Sequence, residues 1–263
     1  MGFWVPITVF LFWVILGLGS PFLNLDPEQM DLSKILNPPS LGFWLGYDDL
    51  GRSIADRLMA GATTSLVVSI SVVGITLMIG TFVGTLSGYW GGWVDHGMVR
   101  LMDIFLAFPG LLLAIAMAGV LGPGIENVVM ALCVVGWVGF ARLSRAQVIS
   151  IKQREHVQAA LAIGLGRTQI ILKHLLPLTL APLIVEATFS LAGVVIAEAS
   201  LSFLGLGVQP PDPSWGSMIR DGAQYMLVAP HMVIFPGIAV MLVVLAVNLL
   251  GDRFRDWLDV KSG

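Results

Sequence analysis

Long apolar segments alternate with short polar ones along almost the whole chain. A helix of about 20 apolar residues crosses the roughly 30 Å hydrocarbon core of a bilayer. Open strands would leave backbone polar groups unpaired in lipid, and the alternating pattern of a barrel is absent, so the apolar segments are predicted to be helices. We place six spans near residues 3–19, 63–88, 99–121, 126–148, 178–203 and 229–250. The predicted fold class is an all-α membrane protein with six transmembrane helices.

Composition agrees with this pattern. The chain has 263 residues, of which 56% are hydrophobic and 12% are charged, whereas soluble domains carry about 25% charged residues. The single cysteine, Cys133, lies in an apolar run, which excludes a disulfide framework and a cysteine metal site. Glycines recur within the spans, and such small residues let membrane helices approach closely.

Basic residues are divided unevenly between the two sides of the predicted bundle. Only four fall on one side: Lys34, Arg52, Arg57 and Arg220. Ten fall on the other: Arg100, Arg142, Arg145, Lys152, Arg154, Arg167, Lys173, Arg253, Arg255 and Lys261. By the positive-inside rule, both termini and the segment 149–177 are predicted to be cytoplasmic, and the loops 20–62 and 204–228 to face outward.

The chain is predicted to form an N-terminal part and a core. Residues 1–62 would comprise the first span and a long outer segment, and residues 63–263 a five-helix core. The first 20 residues lack the positive region of a cleavable signal, so we expect the first span to be retained.

Three carboxylates fall within predicted spans, where ionisable groups are functional candidates. Asp103 follows Arg100 by three residues at the cytoplasmic start of a helix, where it can form an ion pair. Glu198 lies near the outer end of the fifth span, within expected reach of the headgroups or of the outer loop. Glu186 lies about 12 Å into that span and is the best candidate for facing an aqueous path.

A polar interruption at residues 153–177 separates the fourth and fifth spans. Its apolar positions Val157, Ala160, Leu161 and Gly164 recur at helical spacing and give one small apolar face. Such a face buries little in lipid, so docking into a protein groove is favoured over the alternative of an interfacial helix on the headgroups.

A turn and a second short helix are predicted to follow. Gly164 or Gly166 can adopt a left-handed conformation and end the first helix. Thr168 is the expected N-cap of a helix over residues 169–176, and Pro177 suits the junction with the fifth span.

Enzymatic signatures were considered as the alternative from another class. The chain has no metalloprotease helix, no nucleophile elbow and no phosphate-binding loop. The sequence GLGRTQ at 164–169 is only superficially similar to a glycine-rich nucleotide loop, because no strand precedes it. We therefore predict no catalytic residues, no metal ligands and no cofactor in this chain, and place ATP binding elsewhere.

The interruption resembles the EAA loop of bacterial ABC-importer permeases. The resemblance rests on Ala159, Ala160 and Gly164, followed by Pro177. Gln158 departs from the family pattern, in which Glu is usual. In that family this loop is the coupling helix that contacts the ATPase. The resemblance implies ATPase-coupling roles for Glu155, His156, Val157, Ala159, Ala160, Leu161, Gly164, Arg167, His174 and Pro177.

Other stretches resemble the dipeptide, oligopeptide and nickel branch of these permeases. They are LGYDDLGRSIADRLMAGATTSL (45–66), MDIFLAFPGLLLA (102–114), AEASLSFLGLGVQPPDPSWG (197–216) and FPGIAVMLVVLAVNLLGDRFRDWLD (235–259). Together they cover about residues 45 to 260 and are most similar to the C-type subunit.

The resemblance implies a type I ABC importer permease in a bacterial inner membrane. It would form half of the translocation path for di- or oligopeptides, with Asp103, Glu186 and Glu198 as candidate path residues. The implied partners are a homologous second permease chain, two cytoplasmic ATP-binding subunits that carry ATP and Mg, and an extracytoplasmic solute-binding protein. A nickel or metal-chelate importer is the alternative within the same class.

Overall fold

A computed structural model describes residues 4–260 of the protein, with side chains described for residues 4–258. Ten α-helices account for most of these residues. They are α1 (Trp4–Gly19), α2 (Ile54–Trp90), α3 (Gly92–Leu106), α4 (Gly110–Leu121), α5 (Ile125–Lys152), α6 (Glu155–Ala162), α7 (Arg167–Ile170), α8 (Leu176–Phe203), α9 (Trp215–Ala223) and α10 (His231–Val260). A π-helical stretch, Ile171–Leu175, joins α7 to α8.

The all-α fold is confirmed, with one correction to the predicted spans. Five helical segments are long and apolar enough to cross a membrane, built on α1, α2, α5, α7 with α8, and α10. The predicted span 99–121 is not continuous, because α3 and α4 meet at an angle of 82°. The break lies before Pro109, whose ring disfavours helical geometry at the preceding residue and which has no backbone N–H to donate. The bent pair brings the number of crossings to six if it forms one span.

Helices α2 and α5 form the tightest seam of the bundle. Gly80, Gly84 and Gly88 lie four residues apart on the α2 face that contacts α5. A Cβ atom at Gly80 would lie 2.5 Å from the backbone oxygen of Trp137, and one at Gly84 would overlap the backbone oxygen of Ala141. Glycine spacing of this kind lets two membrane helices approach to backbone contact.

The bundle has two distinct ends, which we name by their charge. The basic end comprises residues 89–106, 145–177 and 251–258, and the acidic end comprises residues 20–57 and 204–231. Helices α2 and α5 both finish at the basic end, where the Lys152 ammonium donates to the Tyr89 carbonyl at 2.7 Å. At the acidic end the Gly124 N–H donates to the Gly207 carbonyl at 3.1 Å.

The acidic end is stabilised by a cluster of buried charged side chains. Sequence reasoning had placed them in an outer loop. The Asp48 carboxylate is buried and accepts from the Arg52 Nε at 2.7 Å and from the Arg57 guanidinium. The Arg57 guanidinium also lies 3.7 Å from the Asp221 carboxylate of α9. Burial, and then the neighbouring Asp48 carboxylate, raise the pKa of Asp49. This ionic cluster ties the segment before α2 to α9. The predicted domain division at residue 62 falls within α2, and that division stays a prediction.

Candidate functional site

Helix α6 ends in a tight left-handed turn. Gly164 has a φ of +81°. The Gly164 N–H donates to the Leu161 carbonyl at 3.0 Å, and the Leu165 N–H donates to the Ala160 carbonyl at 3.1 Å. This pair of bonds is the Schellman motif, which favours glycine at the left-handed position. The prediction of a left-handed glycine here is confirmed for Gly164, whereas Gly166 has a φ of −64°.

The second short helix begins earlier than predicted. Gly166 is the N-cap of α7, so the prediction that Thr168 caps a helix over residues 169–176 is wrong. The chain then passes through the π-helical stretch into α8. Pro177 lies in the first turn of α8, directly after the π-helical stretch, and supplies no backbone N–H to the helix at this junction. The order of helix, turn and re-entry helix is as predicted.

One face of α6 points into the protein. Val157 has an exposed fraction of 0% and Ala160 one of 4%. Val157 belongs to an apolar cluster formed by the ends of α2 and α5 and by the α7–α8 junction. The buried members of this cluster are Tyr89, Val148, Ile151, Val157, Ile170 and Leu175. Two of the four residues of the predicted apolar face are therefore turned into the bundle, and the expectation that Val157 and Ala160 are presented outward is wrong.

The opposite face of α6 and its turn are exposed. The predicted residues Glu155, His156, Ala159 and Leu161 lie on this surface together with Gly164. Ile163 is 79% exposed and was missed by the sequence analysis. The signal that could have identified it is a β-branched apolar residue directly before the turn glycine and off the 157/160 spacing.

Other predicted residues surround this surface. The His156 and His174 rings lie 6.3 Å apart, so the structure brings α6 and the π-helical stretch together. Arg167 and Pro177 are also exposed. We define the docking face as residues 155, 156, 159 and 161–164, which lie at the basic end.

Polar contacts fix the position of α6 on the bundle. The Gln158 side-chain amide donates to the Lys152 carbonyl at 2.8 Å, and the Lys152 ammonium lies 5.3 Å from the centroid of the Tyr89 ring. An ionised Glu at position 158 could not donate this bond. The departure from Glu noted in the sequence thus has a structural role inside the chain.

Two of the predicted path carboxylates lie away from any cleft. Asp103 is exposed on α3, and among the described side chains no cation, Arg100 included, lies within 4 Å of it. Glu198 is 1% exposed, so it does not reach the headgroups, and the alternative that it reaches the outer loop stays a prediction. Its Oε1 accepts from the Ser202 hydroxyl at 2.8 Å, while its Oε2 has no hydrogen-bond partner among the described residues.

The third carboxylate, Glu186, lines a cleft at the basic end. The cleft lies between α5, α8 and α10 and has a volume of about 620 Å³. Glu186 reaches across it towards α5, where a Cβ at Gly139 would lie 3.5 Å from the Glu186 Oε1. Gln147 of α5 and Arg255 of α10 supply the other polar side chains. Among the described residues no group of three or more metal-ligating side chains is found.

An apolar bundle with five or six crossings, a cleft at one end and a protruding helical turn defines a polytopic membrane protein of the transport class. Residues 80–262 match the family model described as the inner membrane component of binding-protein-dependent transport systems. The chain belongs to this family, as its sequence motifs predicted. It is therefore a multi-pass transport permease subunit and not an enzyme.

Two relatives that match almost the whole chain are also named as transport system permeases. The chain is 41% identical to the dipeptide transport system permease protein DppC of Alkalihalophilus pseudofirmus, over 98% of this chain and 85% of the relative. It is 42% identical to the glutathione transport system permease protein GsiD of Escherichia coli, over 98% of this chain and 82% of the relative.

Solved structures agree on the fold. Two inward-facing crystal forms of the MetNI methionine ABC transporter match with TM-scores of 0.61 and 0.58. Each match covers 76% of this chain and 95% of the transporter chain at 21% sequence identity. The type I ABC importer permease fold is thus confirmed.

Proposed function

We propose that this chain is one of two permease subunits in an ATP-driven importer of di- or oligopeptides. The two full-length relatives carry the names of dipeptide and glutathione transport systems. Both names refer to peptides, which favours peptide cargo over the nickel or metal-chelate alternative. ATP and Mg would bind to separate ATPase subunits, and a solute-binding protein would deliver the peptide to the acidic end.

The observation that carries this proposal is the division of α6 into an anchored face and an exposed face. Val157 packs in one apolar cluster with residues of α2 and α5, and Ala160 is also buried, while Ile163 projects outward beside the Gly164 turn. A helix fixed to the bundle on one side and exposed on the other can pass movement between the bundle and a bound partner. We assign the docking face to an ATPase subunit and, by the positive-inside rule, the basic end and both termini to the cytoplasm.

The isolated chain leaves one side of α8 uncovered, which supports a second permease chain as a partner. Gly193 is exposed at the middle of α8, and Ile196 and Phe203 are exposed further along the helix. The cleft at Glu186 also opens beside this helix. Two such chains packed together would enclose a path between them, whereas one chain provides a single wall.

The test is retention of the ATPase subunits by the purified membrane complex. Ile163→Asp adds a charge to the exposed apolar contact, and we expect it to lower co-purification of the ATPases at least tenfold and to abolish uptake of labelled dipeptide. Leu41→Asp is the matched control, because Leu41 is an exposed leucine of the acidic end. It should retain the ATPases. Retention of the ATPases by Ile163→Asp at the level of the parent complex would refute the assignment.

A further inference from the structure

The uncovered side of α8 follows a regular spacing. Seven half-buried or exposed residues alternate at intervals of four and three along the helix: Pro182, Glu186, Phe189, Gly193, Ile196, Ser200 and Phe203. Such spacing keeps side chains on one face of a helix. We call this set the α8 stripe. It faces two cavities, one on each half of the helix.

The two halves of the α8 stripe differ in chemistry. The half nearer the acidic end borders an apolar groove lined by Leu111, Ile115 and Ile196. The half nearer the basic end borders the Glu186 cleft, which also contains Arg255. Glu186 lies ten residues after the start of α8 at Leu176, which corresponds to about 15 Å along the helix. A carboxylate at that depth is costly against lipid and indicates an aqueous or protein-lined space.

The two charged side chains of the cleft do not form an ion pair with each other. Within residues 4–258, neither the Glu186 carboxylate nor the Arg255 guanidinium forms an ion pair with another side chain. One negative and one positive group therefore border the same space of about 620 Å³. Ligand pockets of small molecules have volumes of about 300–1,000 Å³.

We infer that this cleft is a binding site for a zwitterionic peptide, in which Glu186 binds the ammonium group and Arg255 binds the terminal carboxylate. A guanidinium suits a carboxylate because it offers paired N–H donors in a plane. Leu143, Val185 and Phe189 supply apolar walls for side chains of varied shape. The inference rests on the proposed function and makes this subunit read both charged termini of a dipeptide, whose ends are close enough to lie in one cleft.

The test uses the assembled complex with Gln147→Cys in a Cys133→Ser background, which places one thiol in the cleft. Complexes are first shown to take up alanylalanine in vesicles. Alkylation of the thiol by a maleimide is then followed against alanylalanine concentration, without nucleotide or binding protein. We expect the dipeptide to slow alkylation. Leu143→Cys is a second reporter position in the same cleft.

The binding site is tested by whether a modified peptide terminus and the substitution of its proposed partner side chain remove the same interaction. N-acetylation of alanylalanine should raise the half-protecting concentration about tenfold, as loss of a charged hydrogen bond predicts. In Glu186→Gln the unmodified dipeptide should bind equally weakly, and acetylation should cost nothing further. C-terminal amidation should likewise weaken binding to the parent complex, and it should cost nothing further in Arg255→Gln. Arg253→Gln should leave every curve unchanged, because Arg253 lines a groove against α1 instead.

Two results would overturn the inference. One is an undiminished acetylation penalty in Glu186→Gln, and the other is an absence of protection by alanylalanine in a complex that transports it. Both leave the proposed function intact. Failure of the parent complex to take up any di- or oligopeptide, alanylalanine included, would instead contradict the proposed function.

Discussion

The two ends of the bundle are built in opposite ways. At the acidic end the chain buries Asp48, Arg52 and Arg57 together and joins them to α9. At the basic end it buries small apolar residues of α6 and leaves Ile163 exposed. Buried charges have few alternative partners, so the first arrangement specifies one geometry. A short helix anchored by apolar side chains leaves its outer face available, so the second arrangement suits a partner that is bound and released.

The comparison predicts that the acidic end is the less tolerant of substitution, and Arg57→Ala should show the largest effect. Removal of one partner from a buried ion pair costs about 3–5 kcal/mol. We expect about 3 kcal/mol here, since Arg52 still neutralises part of the Asp48 charge. The measurement is the thermal unfolding midpoint of the purified complex.

Lys34→Ala is the matched control for that variant. Lys34 belongs to the same end and forms an ion pair with Asp31 at 2.9 Å, but the Lys34 side chain is partly exposed. Exposed ion pairs contribute little to stability, so the midpoint should not change. Equal midpoints for Arg57→Ala and the parent complex would show that the buried cluster does not hold the acidic end together.

An intermediate loss of stability is expected from a substitution in the seam between α2 and α5. Gly84→Ala places a methyl group against the Ala141 backbone and must force α2 and α5 apart. Overpacking of this kind costs about 1–3 kcal/mol. Gly74→Ala lies on the same helix, where a Cβ would meet no described atom within 4 Å, and it should be neutral. The yield of folded complex in detergent separates the two, and similar losses for both would contradict backbone contact at the seam.

The smallest effect on stability is expected at the basic end. Gly164→Ala must hold a φ of +81°, which costs about 1 kcal/mol for a residue with a Cβ. Gly166→Ala is the control, because its φ of −64° suits alanine. Neither added methyl would meet a described atom within 4 Å. Hydrogen exchange of α6 should therefore accelerate only in Gly164→Ala. Faster exchange in both variants would argue against strain at the left-handed position.

Much of the fold could be predicted because lipid imposes simple rules. Segment length and apolarity located the spans, and the turn glycine at 164 marked the end of α6. The break between α3 and α4 was signalled by Pro109, but hydropathy alone continues across it. The Thr168 cap was wrong because Gly166 adopts the extended N-cap conformation first.

The candidate site was less predictable, since an apolar stripe does not reveal what covers it. Val157 and Ala160 have the spacing expected of a docking face, yet both are buried, and Val157 packs with the ends of α2 and α5. Glu198 and Glu186 occupy the same helix, and only the tertiary structure distinguishes a buried carboxylate from one that lines a cleft. The buried cluster at Asp48 depends on contacts between residues more than 160 positions apart.

Helix α2 gives the two ends a mechanical connection. Its 37 residues correspond to about 55 Å, nearly twice the roughly 30 Å hydrocarbon thickness of a bilayer. It begins beside the buried ionic cluster and ends at Trp90, next to Tyr89 of the apolar cluster that contains Val157. A rod of that length, clamped at one tip and tilted by about 5°, displaces its other tip by about 5 Å, roughly one helical turn. Because α2 and α5 are in backbone contact at their seam, a tilt of this helix pair about the acidic end would carry the docking face with it.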